Sequence, residues 1–276
     1  MAVHSRQFSD KVSLNIHQTI AGRRRFYKHV GVEEVDNTGL YKVTLDGRTL
    51  KTPGMNPLHL PSKDLAIGIA LEWDAQTNVK SGIVPASMPL MILASTAIDH
   101  VLVDPSDARK TCLSFLPTDA ALFQTTSGDR ILLAKQKEAH EPILEWLHQK
   151  FDIRLPTTDA MVFRIQHSDD TVQRVKSVVD NMDHFSLTCL QSACMECKSL
   201  VIALALVGRF INFQQAKVAS RVEEEFQIDI WGVVEGGHDM DRLNNAVTCS
   251  AVDAFMNAFM STKELEGVLE SWQARS

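Results

Sequence analysis

Apolar and polar residues alternate along LYKVTL (residues 40–45), so that Tyr41, Val43 and Leu45 share one face, as in a half-buried strand. Asp46-Gly47 follows and suits a tight hairpin turn, because glycine accepts positive φ. With residues 25–35 before it and 48–52 after it, the pattern predicts a meander of three antiparallel strands. The period then lengthens. Leu65, Ile69 and Trp73 share a helical face, and the Ser62 hydroxyl is placed to cap the first turn. Pro89 suits the first turn of a second helix, with a stripe of Leu90, Ala94, Ala97 or Ile98, and Val101.

From about residue 105 the periodicity is helical throughout. The stretch ILLAKQKEAHEPILEWLHQKF (131–151) is regular apart from Pro142, which is expected to kink the helix or split it. Residues 185–207 read as one buried helix. Residues 213–230 read as one amphipathic helix with the stripe Ala219, Val222, Phe226 and Ile230. Residues 241–260 read as another, carrying Leu243, Val247, Ala251 and Ala254. No internal repeat or low-complexity segment interrupts this plan. The predicted class is α+β: a small α/β domain over 25–115 with an antiparallel meander, then a larger all-helical domain over 116–276.

Charge changes the picture at the N-terminus. The net charge is −6, yet residues 1–28 hold six basic residues (Arg6, Lys11, Arg23, Arg24, Arg25, Lys28) and one acid, Asp10. The remainder has 22 basic against 33 acidic residues, a charge of −11. Such a body repels phosphate backbones, which argues against nucleic acid as a partner. Within the basic segment, Phe8, Val12, Ile16 and Ile20 recur every four residues, so residues 1–24 read like a mitochondrial presequence; a solvated N-terminus is the alternative.

No apolar run approaches the ~20 residues that span a bilayer. The longest, Leu200 to Val207, is flanked by Lys198 and Arg209 and reads as a buried helix segment, so membrane insertion is not expected. The five cysteines (Cys112, Cys189, Cys194, Cys197, Cys249) have no framework spacing and read as reduced thiols. Cys194 and Cys197 form a CxxC without a second pair to complete a zinc set, so they are expected to serve as buried small apolar residues.

Candidate chemistry concentrates in EEEFQIDIWGVVEGGHDMD (223–241). Consecutive helical positions rotate by about 100°, so Glu223, Glu224 and Glu225 do not converge on one proton. On the wheel Glu223 edges the apolar stripe with Gln227 on its side, and Glu224 points to water. Gly232, Gly236 and Gly237 predict a loop before the next helix. Glu235, His238, Asp239 and Asp241 could surround a divalent cation for a metal-assisted hydrolase. Alternatively Asp239 or Asp241 caps the following helix, with His238 a hydrogen-bonded loop residue. Glu-x-x-His outside a helical HExxH is a weak metal signal.

These residues also carry a resemblance. Arg25-Phe-Tyr-Lys28, Leu45-Asp-Gly-Arg48, Leu50-Lys-Thr-Pro53, Asn56-Pro57, Glu72-Trp73 with Gln76, Met88-Pro-Leu90 and Thr96-Ala-Ile-Asp99 occur in order. Gln136, Pro142, Trp146 and Lys198-Ser-Leu200 follow, then Glu225-Phe-Gln227, Trp231-Gly232, Val234-Glu235 and His238-Asp239. Together they resemble the assembly chaperones that attend the alpha subunit of the ATP synthase catalytic head (the ATP-twelve family, ATP synthase assembly factor two), over most of residues 25–260. The chain departs from that pattern around Asp119 and over 152–185.

The resemblance implies a non-enzymatic chaperone of the mitochondrial matrix. It would bind the unassembled alpha subunit, shield the surface later covered by the beta subunit, and need no cofactor, metal or catalytic residue. The absence of a G-x-x-x-x-G-K-[ST] phosphate loop agrees with that. Its partner surface would comprise Glu223, Glu224, Gln227, Trp231, Glu235, His238 and Asp239, with Trp231 either an interface anchor or a prop packed on the helical core. Arg48 and Asp99 are expected to serve the fold rather than the contact.

Overall fold

The computed structural model describes residues 21–77, 82–125, 129–160, 164–234, 236–260, 267 and 269–273. The first twenty residues of the expected presequence therefore lie outside the described residues. Contacts divide the chain into two compact units, one drawn from Met1–Pro105 with Ala254–Ser261, the other from Ser106–Asp253 with Thr262–Ser276.

The first unit is built on an antiparallel sheet of β1 (Val30–Glu34), β2 (Tyr41–Leu45), β3 (Arg48–Thr49) and β4 (His59–Leu60), in which β2 pairs with all three others. The expected third strand pairs over only two residues, and β4 was not foreseen. The β2–β3 turn is the one Asp46-Gly47 predicts: both residues have positive φ, 48° and 77°. The Asp46 carboxylate accepts the N–H groups of Lys28 (3.1 Å) and His29 (2.8 Å), which lowers its pKa and steadies a non-glycine residue in that region.

Helix α1 (Lys63–Asp74) begins as the sequence predicts, with Ser62 Oγ accepting from Leu65 N at 3.1 Å. Leu65, Ala66, Ile69 and Trp73 are buried. The Arg25-Phe-Tyr-Lys28 segment is fastened to the end of this helix. Tyr27 OH donates to Trp73 O at 2.6 Å, and the Arg25 guanidinium reaches Asp74 Oδ1 at 2.8 Å.

Helix α2 (Pro89–Thr96) starts at the expected proline and has an unusual cap. Glu72, from α1, accepts Leu90 N (2.7 Å) and Met91 N (2.8 Å), two N–H groups that a helix start leaves unpaired. Burial pushes its carboxyl up to about 7, against the opposing pull of those two bonds. Gln76 closes the same corner, donating to Ser87 Oγ (2.9 Å) and accepting Val84 N (2.9 Å). Helix α2 runs on into a wide turn over Ala97–Val101 that carries Asp99. Asp99 accepts from Thr52 Oγ1 (2.6 Å), Gly54 N (2.8 Å) and Asn56 Nδ2 (2.8 Å). A Cβ on Gly54 would sit 2.7 Å from the Asp99 carboxylate, so glycine is required there. Asp99 thus serves the fold, as expected.

The second unit holds α3 (Ser106–Ser114), α4 (Arg130–Phe151), α5 (Asp169–Asp180), α6 (His184–Cys197), α7 (Leu200–Val207), α8 (Phe213–Ser220), α9 (Val222–Trp231) and most of α10 (His238–Phe259). Helix α4 is continuous through Pro142. The single buried helix expected over 185–207 is two. Lys198 adopts φ 54°, and Ser199 caps a new helix with its hydroxyl on Ile202 N at 3.0 Å.

The break has a physical cause. All eight residues of α7 are buried, each large aliphatic contributing roughly 1.5–3 kcal/mol of transfer free energy, but the helix start must find acceptors away from water. Asp119 supplies them. It is fully buried and accepts Ser199 Oγ (2.5 Å), Val201 N (3.0 Å) and Ala121 N (3.1 Å). Burial raises its pKa to about 6, with the donated hydrogen bonds pulling the other way.

All five cysteines are buried and unbridged. The CxxC pair is split between neighbours: Cys197 Sγ lies 3.6 Å from Cys249 Sγ, while Cys194 interacts with Cys112.

Candidate partner surface

The amphipathic helix expected over 213–230 is also two helices. Asn212 opens α8 with a capping box to Gln215, and the helical path stops at Arg221 (φ −125°, ψ 14°) before α9 resumes. The interruption shifts the phase of everything after it. Ala219, Val222 and Ile228 are buried, whereas Ile230, assigned to the stripe, is 54% exposed.

Arg221 is itself nearly buried, which explains the break: its guanidinium turns inward to Glu224 Oε1 (2.6 Å) and Glu225 Oε1 (3.1 Å). Arg242 of α10 grips the same Glu225, Nε to Oε1 at 2.8 Å with a second bond to Oε2. Those hydrogen bonds, Arg242 first, hold the Glu225 carboxyl down at about 2. Glu225 is therefore the clasp between α9 and α10. Glu224, expected to face water, is instead partly covered and committed to Arg221.

Helix α4 braces the other side. Gln136, almost fully buried, donates to Glu223 Oε1 at 2.6 Å and accepts Thr125 N at 2.7 Å. One turn on, His140 Nε2 lies 2.8 Å from Ala219 O, and burial lowers its pKa. Lys135 pairs with Asp229 at 3.2 Å and sits 5.6 Å above the Phe226 ring. Sequence reasoning missed Arg221, Arg242 and His140 as supports; a lone His or Arg on a helix announces nothing until its neighbours are known.

Glu223, Gln227 and Trp231, spaced four apart, share the outward face of α9, and Trp231 is 75% exposed. Trp231 is thus no prop for the core. Gly232 (φ 85°) ends the helix in a backbone conformation suited to glycine, and Gly236 (φ 79°) turns the loop. His238 starts α10 rather than lying in the loop, and its Nδ1 accepts Val234 N at 3.1 Å. Asp239 and Asp241 occupy the first turn of α10, near its positive end. Glu235 lies outside the described residues.

The outward surface here is strongly apolar. Ile230, Trp231, Val233 and Val234 are exposed, as are Met240, Leu243 and Val247 along one face of α10. Leu243 and Val247 were expected inside. The buried face of α10 is instead Asn245, Cys249, Val252 and Met256, almost opposite. Exposed Glu223, Asp229, Asp239 and Asp241 accompany these apolar groups, giving an acidic, apolar ridge. Among the described residues no three His, Cys, Asp or Glu side chains come together in a way that could hold a metal ion. Among the same residues no helix is long and apolar enough to cross a membrane.

A ridge of this kind suits a protein partner, and comparison with known proteins supplies the class. The family model described as ATP12 chaperone protein matches residues 24–148. Over that stretch the chain is similar to the ATP12 chaperone family. Protein atp12, mitochondrial, of Schizosaccharomyces pombe is 29% identical over 244 residues, covering 83% of this chain and 81% of that one. Protein ATP12, mitochondrial, of Saccharomyces cerevisiae is 24% identical over 274 residues, with 84% of each chain covered. The crystal structure of Atp12 from Paracoccus denitrificans shares the fold at a TM-score of 0.77 and 28% identity, over 86% of this chain and 99% of that one. The ATP12 family is one of chaperones, and a hydrolase reading of the 235–241 loop finds no support in it.

Proposed function

We propose that this chain is an assembly chaperone of the mitochondrial matrix that binds the unassembled alpha subunit of the ATP synthase catalytic head and promotes formation of the alpha/beta hexamer, without an enzymatic step. One observation carries the reading: a chain similar to a chaperone family exposes an acidic, apolar ridge, centred on Trp231, on a braced pair of helices. An isolated subunit of an obligate oligomer exposes a large apolar interface that self-associates. A holdase has only to occupy that surface reversibly, and mass action draws the client away from aggregation without nucleotide hydrolysis.

On this reading Trp231 is the anchor, Glu223, Gln227 and Asp239 the polar rim, and Glu224 and His238 supports that shape the rim from within. A contact role is proposed for Glu235 from its sequence position alone. Co-expression with the alpha subunit tests it. The alpha subunit stays soluble and co-purifies with the wild-type chain; a folded chain that leaves it insoluble overturns the proposal.

A further inference from the structure

Strand β1 forms an edge of the sheet: it pairs with β2 and with no other strand among the described residues. Its odd-numbered residues face β2, as the bonds from Asp46 N to His29 O (2.9 Å) and from Val35 N to Leu40 O (2.8 Å) show at its two ends. By the alternation of an antiparallel ladder, the N–H and C=O groups of Val30 and Val32 therefore point away from the sheet. Unpaired edges of this kind are templates for another strand.

The sequence of this edge is self-complementary. Residues 28–34 read Lys-His-Val-Gly-Val-Glu-Glu, with Gly31 at the centre. If a second copy lies antiparallel about a two-fold axis through Gly31, Lys28 faces Glu34, His29 faces Glu33, and Val30 faces Val32. That register also matches the outward-pointing backbone groups, because Val30 and Val32 then exchange N–H···O bonds in both directions. Lys28, His29, Glu33 and Glu34 are all exposed.

The neighbouring surface agrees. An open groove of about 360 Å³ runs between β1 and α1, with Val30 and Val32 on one wall and Ile67, Ala70 and Leu71 on the other. Ile67 and Leu71 are 40% and 64% exposed on a helix whose other face is core. Pairing about Gly31 brings the two grooves together across the axis and covers those side chains. Glycine at the axis leaves no side chain to collide where the strands cross.

We propose that β1 is a homodimerisation edge, joining two copies of this chain into one continuous sheet with reciprocal Lys28–Glu34 and His29–Glu33 pairs. An isologous contact of this type closes on itself and does not propagate into a fibre.

The test is the mass of the full chain in solution over a concentration series. Wild type gives twice the mass of one chain. Val32→Pro removes an outward N–H that β2 does not use, and abolishes the dimer. Glu34→Lys opposes two like charges at each end and raises the dissociation constant about tenfold. Lys28→Glu combined with Glu34→Lys restores it, although both variants lose the Glu34 bond to Gly39 N (3.2 Å), so the comparison isolates the charge pair. Thermal melts confirm that each variant is folded. A single-chain mass at every concentration up to about 0.1 mM overturns the proposal, including the case in which the groove takes an extended peptide from another protein. A dimer insensitive to Glu34→Lys, or one that the double substitution fails to restore, overturns it equally.

Discussion

Gln136 donates to Glu223 at 2.6 Å, so a carboxylate on the outward face of one helix is held by an amide buried beneath it. Glu223 thereby belongs both to the rim of the ridge and to its scaffold. Replacing it with alanine removes the closest acceptor of the Gln136 Nε2 group, whose other bond, to Phe123 O, is long at 3.4 Å. The expected cost is about 1–2 kcal/mol in urea unfolding, the penalty for an under-satisfied buried donor. Gln136→Leu with Glu223→Ala costs less than the sum of the two single changes, since the pair fails together.

The Arg221–Glu225–Arg242 clasp sets a second expectation. Glu225 is held near a pKa of about 2, below its ordinary value, so its pairing is complete above the unfolded carboxylate range and is lost as pH falls from about 4.5 towards 2. The side chain is 38% exposed, and solvent screening limits the contribution of that titration to about 1 kcal/mol or less. Glu225→Gln should therefore flatten the acid limb of the stability curve below pH 4.5 while lowering stability modestly at neutral pH. An unchanged acid limb would show that the clasp contributes nothing to acid sensitivity.

How far these features are legible in the sequence depends on where their causes lie. The Asp46-Gly47 turn, the Ser62 cap and the Pro89 helix start are local, and the sequence pattern predicts each. The eight-residue run from Leu200 is equally plain as buried helix, and Ser199 ahead of it was an available start signal. The break at Lys198 instead depends on Asp119, which lies eighty positions before the Ser199 cap and satisfies the new helix start. The break at Arg221 has no local signal at all. It follows from an arginine turning inward to two glutamates. The exposed apolar surface along Met240, Leu243 and Val247 was therefore not legible in the sequence.

Glu72 and Asp119 make the opposite pH prediction to Glu225. Both carboxyls are raised by burial, to about 7 and about 6. A folded-state pKa above the unfolded one favours the folded state at low pH. The contribution is complete below the unfolded pKa near 4 and is lost as pH rises through 6 to 7. At about 1.4 kcal/mol per unit, each group is worth roughly 3 kcal/mol across that window. Urea midpoints should accordingly be higher at pH 5 than at pH 8. Asp119→Asn should reduce the difference while destabilising at both pH values, because its amide cannot accept from both Ser199 and Val201. His140, lowered by burial, pulls the other way over the same window, so the Asp119 assignment is refuted if Asp119→Asn leaves the difference between pH 5 and pH 8 unchanged.

The ridge itself separates binding from folding. Trp231, 75% exposed on the last turn of α9, contributes little to the core, and substitution at such a position ordinarily changes stability by less than about 0.5 kcal/mol. As an interface anchor it would instead cost about 2 kcal/mol or more in affinity, roughly thirtyfold. Trp231→Ala, and Leu243→Ser on the neighbouring helix, should leave the melting temperature nearly unchanged and sharply reduce co-purification of the alpha subunit. Arg242→Ala acts in the reverse order, lowering the melting temperature first because it opens the Glu225 clasp, with capture falling as a consequence. If Trp231→Ala captures the alpha subunit as well as wild type does, the exposed aromatic is not the anchor, and the contact must be sought on another face.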